Sequence, residues 1–313
     1  MTNFHFLFIY YFIVILLYTL FTDSASTAND ENNNSKIAFL FITKGALPLS
    51  ALWVDFFKHV SNETYKIYVH APLEISKSYQ FPFKGTAVKN PILVQWGTWS
   101  LAQAEIILFR EALLDPLNCW FILLSESCAP LRDFYFTQNY LKLSNFSFLD
   151  SVGSKKRRLP IKSIKHIWKT GSQWAVLRRQ DVVVLVNDSL LLDFDNFFAQ
   201  AGKNISIGRS NRNNFLNYAS YCCIDEHYKQ IILDGKHKIL LERRSLTGSL
   251  WPSEQYQDSD SRKGHPITYH ISKTDKGAFS YFKNITCADL NQTRVLATSA
   301  RKCVLLFARK FIV

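Results

Sequence analysis

The chain has 313 residues and a formal net charge of +12, and hydrophobic residues make up 48% of it. That is enough apolar material for one large folded domain or two small ones, and it excludes a disordered chain. The charge suggests an anionic ligand. Nucleic acid fits poorly: Lys155-Lys156-Arg157-Arg158 looks like a nuclear signal but reads better as a solvated loop, and no nucleic-acid motif is present.

Phe4 to Phe21 is apolar or aromatic except for His5 and Thr19. At about 18 residues it can just span a bilayer. Residues 1–22 are expected to be a signal-anchor, with a cytoplasmic N-terminus and the body in the lumen. A cleaved signal peptide is the rival reading, with Ala25-Ser26-Thr27-Ala28 as cleavage site. Residues 23–35 read as a polar stem, and 36–313 as the lumenal domain. Residues 1–35 hold three acids and no bases, so the remainder carries 37 − 22 = +15. Sequons occur at Asn33, Asn62, Asn145, Asn187, Asn204, Asn284 and Asn291, which fits a glycoprotein of the secretory pathway. Asn145 is expected in a buried strand. The cysteines, Cys119, Cys128, Cys222, Cys223, Cys287 and Cys303, contain no C-x-x-C pair, which argues against a zinc ribbon. Their even number suggests disulfides. Cys287–Cys303 is the favoured pair, and the adjacent Cys222 and Cys223 are not expected to bond each other.

Ile37 to Ile42 is a continuous apolar run, the pattern of a strand buried on both faces. Leu49 to Phe57 has helical spacing. Tyr65 to His70 and Ile92 to Val94 read as strands. Ser100-Leu101-Ala102-Gln103 is a capping-box pattern before a helix over Ala104 to Leu114. Trp120 to Leu124 is another buried strand and Phe134 to Leu143 a helix. Further on, Ser172 to Arg178 reads as a strand, Gln180 to Val186 as a helix, and Ile267 to His270 and Cys303 to Phe307 as strands. Alternating strands and helices predict an α/β fold with a mostly parallel sheet flanked by helices. Ligands on such sheets sit at the carboxyl ends of the strands, here Thr43-Lys44-Gly45 and Ser125-Glu126-Ser127.

Cys222-Cys223-Ile224-Asp225-Glu226-His227-Tyr228 puts two carboxylates at the start of a helix through Ile231, Ile232 and Leu233, which Asp234-Gly235 would stop. Asp225 is the expected cap, and Glu226 in the first turn is held as a general base requires. The plainer reading is that both acids only stabilise the helix. His227 is expected to be structural, since no second His stands at ligand spacing. Asp193-Phe194-Asp195 mimics a metal-binding Asp-x-Asp motif, but lies too late in the chain for a donor site. Asp258-Ser259-Asp260 sits in a polar loop.

Six stretches taken in order resemble a known family: Lys36 to Gly45, Tyr65 to Ala71, Phe121 to Leu131, Lys169-Thr170-Gly171-Ser172-Gln173-Trp174, the Asp225-Glu226-His227-Tyr228 segment, and Phe307-Ala308-Arg309-Lys310-Phe311. Together they resemble the plant branch of the core-2/I-branching β-1,6-N-acetylglucosaminyltransferases, glycosyltransferase family 14. The resemblance implies a GT-A-like Rossmann-type fold and an inverting, metal-independent transfer from a UDP-sugar to a glycan acceptor. It also implies a Golgi type II membrane protein. N-acetylglucosamine is the first candidate sugar. A β-glucuronosyltransferase using UDP-glucuronic acid and a catalytically silent glycan-binding protein are the alternatives. By the same resemblance Glu226 is the catalytic base and Lys310 a diphosphate contact, whereas without it Arg309 and Lys310 read as exposed strand residues; Arg309 and the strand-end residues Thr43, Lys44 and Glu126 are the further candidate donor contacts. Arg294 or Arg301 is the candidate for a second diphosphate residue. Lys169, Trp174 and Trp251 stand where acceptor contacts are expected. Either Trp could be a core aromatic, and burial decides. No metal and no cofactor is expected.

Overall fold

A computed structural model describes residues 35–154, 159–206, 223–249, 269–270 and 304–312. Strand β1 (Lys36–Ile42) is followed by helix α1 (Ser50–Phe57), strand β2 (Tyr65–His70) and the short helix α2 (Leu73–Ser76). Helix α3 (Trp99–Leu113) leads to β3 (Asn118–Ser125), β4 (Ala129–Pro130), α4 (Phe134–Lys142) and β5 (Ser147–Phe148). Then come β6 (Val152–Gly153), β7 (Lys169–Thr170), β8 (Val176–Arg178), α5 (Arg179–Asn187) and α6 (Leu190–Ser206). A turn-rich segment, Ile224 to Lys236, precedes β9 (Leu241–Glu242), β10 (Thr247–Ser249), β11 (Tyr269–His270), β12 (Phe307–Arg309) and β13 (Phe311–Ile312).

The main sheet has six strands in the order β2-β1-β3-β8-β5-β9. β1 pairs parallel with both β2 and β3, while β8 runs antiparallel to β3. This is the expected α/β architecture of mostly parallel strands between helices, consistent with a GT-A-like fold. The apolar run of β1 follows from its two covered faces. Ala38, Leu40 and Ile42 pack with α3, α5 and the Ile231–Leu233 segment. Ile37, Phe39 and Phe41 pack with α1, α4 and the second small sheet, β10-β12-β4. Phe39 centres an aromatic cluster with Trp53, Phe56, Phe57 and Phe134. In register, Ile42 stands opposite both His70 and Ser125, so the carboxyl ends of β2, β1 and β3 lie level.

Several expectations are corrected. Ile92 to Val94 is not a strand: it runs without regular structure, and Leu93 is 97% exposed. α3 starts at Trp99, so Ser100 lies inside it. The Ser100 hydroxyl accepts from Gln95 N at 2.9 Å and meets Thr98 Oγ1 at 2.8 Å, so no capping box forms. Ser172 to Gln173 precede the strand rather than joining it, because β8 pairs only over Val176–Arg178. The strand expected to end at Phe307 instead begins there, as β12, and residues 304–306 before it are not strand. Asn145 is exposed just before β5. Cys128 is a free thiol, so the cysteines are not all paired. Cys223 is disulfide-bonded. Cys222, Cys287 and Cys303 lie outside the described residues, as do the Phe4 to Phe21 run, the Asp258-Ser259-Asp260 string and Arg294 and Arg301. Among the described residues no helix is long and apolar enough to cross a membrane.

Candidate active site

A cavity of about 1320 Å³ opens at the carboxyl ends of the parallel strands. That exceeds the ~300–1,000 Å³ of an ordinary small-molecule pocket. Thr43 and Lys44 after β1, His70 at the end of β2, and Ser125, Glu126 and Ser127 after β3 line one side. The Thr43 hydroxyl is committed to its own turn: it accepts from Gly45 N at 2.9 Å and donates to Ala46 O at 3.2 Å. Lys44 is exposed at the rim. The buried His70 ring accepts Ile92 N–H on Nε2 at 3.1 Å, and burial holds its pKa below the ordinary value.

The opposing cation comes from the far end of the chain. β12 pairs with β4, and Phe311 N–H donates to Ser127 O at 3.0 Å, which docks Arg309 and Lys310 beside the Ser125–Ser127 turn. The Arg309 guanidinium lies 4.6 Å over the Trp174 ring. Its Nε is buried and, among the described residues, has no hydrogen-bond partner. Burial lowers its pKa, while Cys128, Glu126, Glu226 and Asp225 act in the opposite sense. Lys310 is half-buried and lines the same cavity. Trp174 itself is 4% exposed. With its face covered by Arg309, it is a core aromatic that seats the guanidinium and not an open platform for an acceptor sugar.

Asp225 and Glu226 form the third wall. The expected helix is replaced by a 3₁₀ turn over Ile224–Glu226, one α-turn over Tyr228–Gln230 and a π-helix over Ile231–Lys236 that runs through Asp234-Gly235. Asp225 makes no cap hydrogen bond. Instead the turn is entered through Cys223 at φ 72° and closed by Glu226 N–H donating to Cys223 O at 2.9 Å. Gly171 N–H donates to Glu226 O at 3.0 Å, and Gln230 Nε2 donates to Ser172 O at 2.8 Å. The Lys169–Trp174 motif and the Asp225–Tyr228 motif are thus two halves of one scaffold. Gly171 is required there, since a Cβ would stand 1.8 Å from Asp150 O.

A buried ion pair sits beneath the turn. Lys229 and Glu105 are both 0% exposed. Lys229 Nζ donates to Glu105 Oε2 at 2.5 Å and to Asp225 O at 2.8 Å. Tyr228 and Gln173 complete the shell of Glu105, each donating at 2.8 Å. Burial, with the Glu105 and Glu226 charges adding, pushes the Asp225 carboxyl up to about 7, against the opposing pull of Lys229.

Of the expected site residues, Glu226, Arg309, Lys310, Thr43, Lys44, Glu126 and Trp174 all line the one cavity. Lys169 does not: its ammonium pairs with Asp234 at 3.0 Å, and its carbonyl meets His227 Nδ1 at 2.9 Å. Both contacts tie Lys169 to the Ile224–Lys236 segment. Trp251 lies outside the described residues. Asp193 and Asp195 stand on α6, where Asp193 accepts from Ser163 and Asp195 from Trp99 and Gln103, so both are bound into the scaffold. Sequence reading missed His70, the Glu105–Lys229 pair and the buried environment of Asp225. The only available signal was Glu105 on the apolar face of α3, between Ala104 and Ile106.

The Core-2/I-branching enzyme family matches residues 37–283, the span that builds the sheet and the acidic turn. The chain belongs to that family. It is also 33% identical over 304 residues to glycosyltransferase BC10 of Oryza sativa subsp. japonica, covering 89% of this chain and 74% of that protein. The family is one of glycosyltransferases, with a nucleotide-sugar donor and a glycan acceptor. A deep cleft with carboxylates on one wall and cations on another suits that chemistry.

Proposed function

We propose that the chain is an inverting glycosyltransferase that moves a sugar from a UDP-sugar to a glycan with β-linkage, without a metal. N-acetylglucosamine is the sugar of first choice. The observation that carries this reading is the meeting, on one cavity, of Glu226 with Arg309 and Lys310. Glu226 removes the proton of the attacking hydroxyl. Attack on the face opposite the leaving diphosphate inverts the anomeric carbon. Arg309 and Lys310 stabilise the negative charge on the departing diphosphate. The buried setting of Arg309, seated on Trp174, fixes it in advance of the reaction and strengthens its field. Thr43, Lys44 and Glu126 border the donor at the strand ends. The protein acts in the Golgi lumen, held by the Phe4 to Phe21 run as a type II anchor.

A screen of the purified full-length chain against UDP-sugars, reading UDP release with a mixed glycan acceptor pool, tests the reading. Activity with UDP-N-acetylglucosamine that persists in EDTA is the expected result. Loss in EDTA with recovery on manganese would overturn the metal-free mechanism. Release from UDP-glucuronic acid alone would move the assignment to a glucuronosyltransferase.

A further inference from the structure

Asp225 has no place in the mechanism above, yet it lines the cavity beside Glu226. It is 4% exposed, and its Oδ1 is buried without a hydrogen-bond partner among the described residues. Buried polar atoms are nearly always paired, so an orphaned carboxyl oxygen in a residue that lines the cavity marks a contact that a ligand completes when the side chain turns toward it. The neighbours do not satisfy it. Lys229 spends its ammonium on Glu105 and on the Asp225 backbone carbonyl. Arg309 faces the same region from β12, seated on Trp174.

The two acids of the turn differ in depth: Asp225 is buried and Glu226 half-exposed. An acceptor arrives from solvent and meets the outer carboxylate. The donor sugar, tethered to a diphosphate at Arg309 and Lys310, fills the inner space. The geometry points to Asp225 as a specificity-determining residue that hydrogen-bonds a hydroxyl of the donor sugar and disfavours an anionic one. This rests on the UDP-sugar reading above and adds a residue to it.

The charged groups facing Asp225 are Glu105 from α3, Glu226 on its own turn, Lys229 one turn on and Arg309 from β12. Burial and the two acids hold its carboxyl neutral up to about pH 7, against the opposing pull of Lys229. Neutral, it both donates to and accepts from a sugar hydroxyl. Ionised, it still accepts from a hydroxyl but repels a uronate.

The test is calorimetric binding of UDP, UDP-N-acetylglucosamine and UDP-glucuronic acid to the full-length chain at pH 6 and pH 8.5. UDP-N-acetylglucosamine is expected to bind about 10-fold more tightly than UDP, a gain that Asp225→Ala abolishes while UDP affinity stays within about twofold. UDP-glucuronic acid is expected to weaken relative to UDP as the pH rises, and Asp225→Asn to remove that dependence. The second variant carries the test if the first does not fold. An unchanged sugar-to-UDP affinity ratio in Asp225→Ala, or a pH dependence that survives in Asp225→Asn, overturns the proposal. UDP binding without a gain from either sugar sinks this proposal alone. No UDP binding at all sinks the donor reading, and this proposal with it.

Discussion

Glu226 and Lys310 line the same cavity, and their substitutions should separate. Glu226→Gln keeps the shape and removes the base, so turnover should fall by about 10²–10⁴-fold with UDP affinity nearly unchanged. Lys310→Ala removes charge facing the leaving group, so both turnover and UDP affinity should drop. Initial rates beside UDP calorimetry distinguish the two, and near-normal turnover in Glu226→Gln would return the base role to Asp225 or Glu126. Asp225 also carries a stability signature. Its carboxyl loses a proton near 3.8 when unfolded and near 7 when folded. Between those values the folded state binds more protons, so stability falls as pH rises and the cost is fully in place above about 7. Asp225→Asn removes this dependence. Relative to the parent it should gain on the order of a few kcal/mol at pH 8 over its value at pH 4, read by melting both proteins at the two pH values. Retaining a destabilised acid at a cavity wall is the pattern expected where function opposes stability.

At the scale of elements, the site depends on how the Lys169–Trp174 stretch grips the 3₁₀ turn. Gly171 approaches Asp150 O so closely that an added Cβ would lie 1.8 Å away, against backbone that cannot yield cheaply. Gly171→Ala should therefore separate the β6–β7 pair from the turn, lowering the melting temperature by several degrees and reducing turnover. Arg309 and Trp174 remain intact in that variant, so UDP affinity should suffer less than rate. A variant with the parent's melting temperature and rate would show that the grip is not needed. The Glu105–Lys229 pair underlies the same turn. Lys229→Met would strand a fully buried carboxylate, at a cost of about 3–5 kcal/mol.

Across the whole molecule, the cavity gathers residues from both ends of the described chain: Thr43 and Lys44 early, Arg309 and Lys310 last. Asn62, Asn145 and Asn187 are exposed in the folded body, so lumenal synthesis should add glycans at these sequons. A shift in gel mobility after glycosidase treatment checks this, and an unglycosylated protein from a secretory host would contradict a lumenal body. Much of the frame was legible in the sequence. β1 and β3 are unbroken apolar runs because both faces are covered, and such runs identify buried parallel strands without any tertiary information. The α1 helix likewise followed from its spacing. So did the strand-end loops and the six ordered stretches that carry the family resemblance, with Glu226 and Lys310 among them. Three things were decided only by the fold. Ile92 to Val94 has strand composition but finds no pairing edge, so it stays irregular. Trp174 became the seat of Arg309 because residues more than a hundred positions apart stack only after β12 joins the second sheet. The state of Asp225 depends on burial and on a carboxylate in α3, whose charge acts through space and not along the chain. Local pattern sets strands and turns, whereas ion pairing, burial and the depth of a carboxyl arise only when distant segments share one low-dielectric interior.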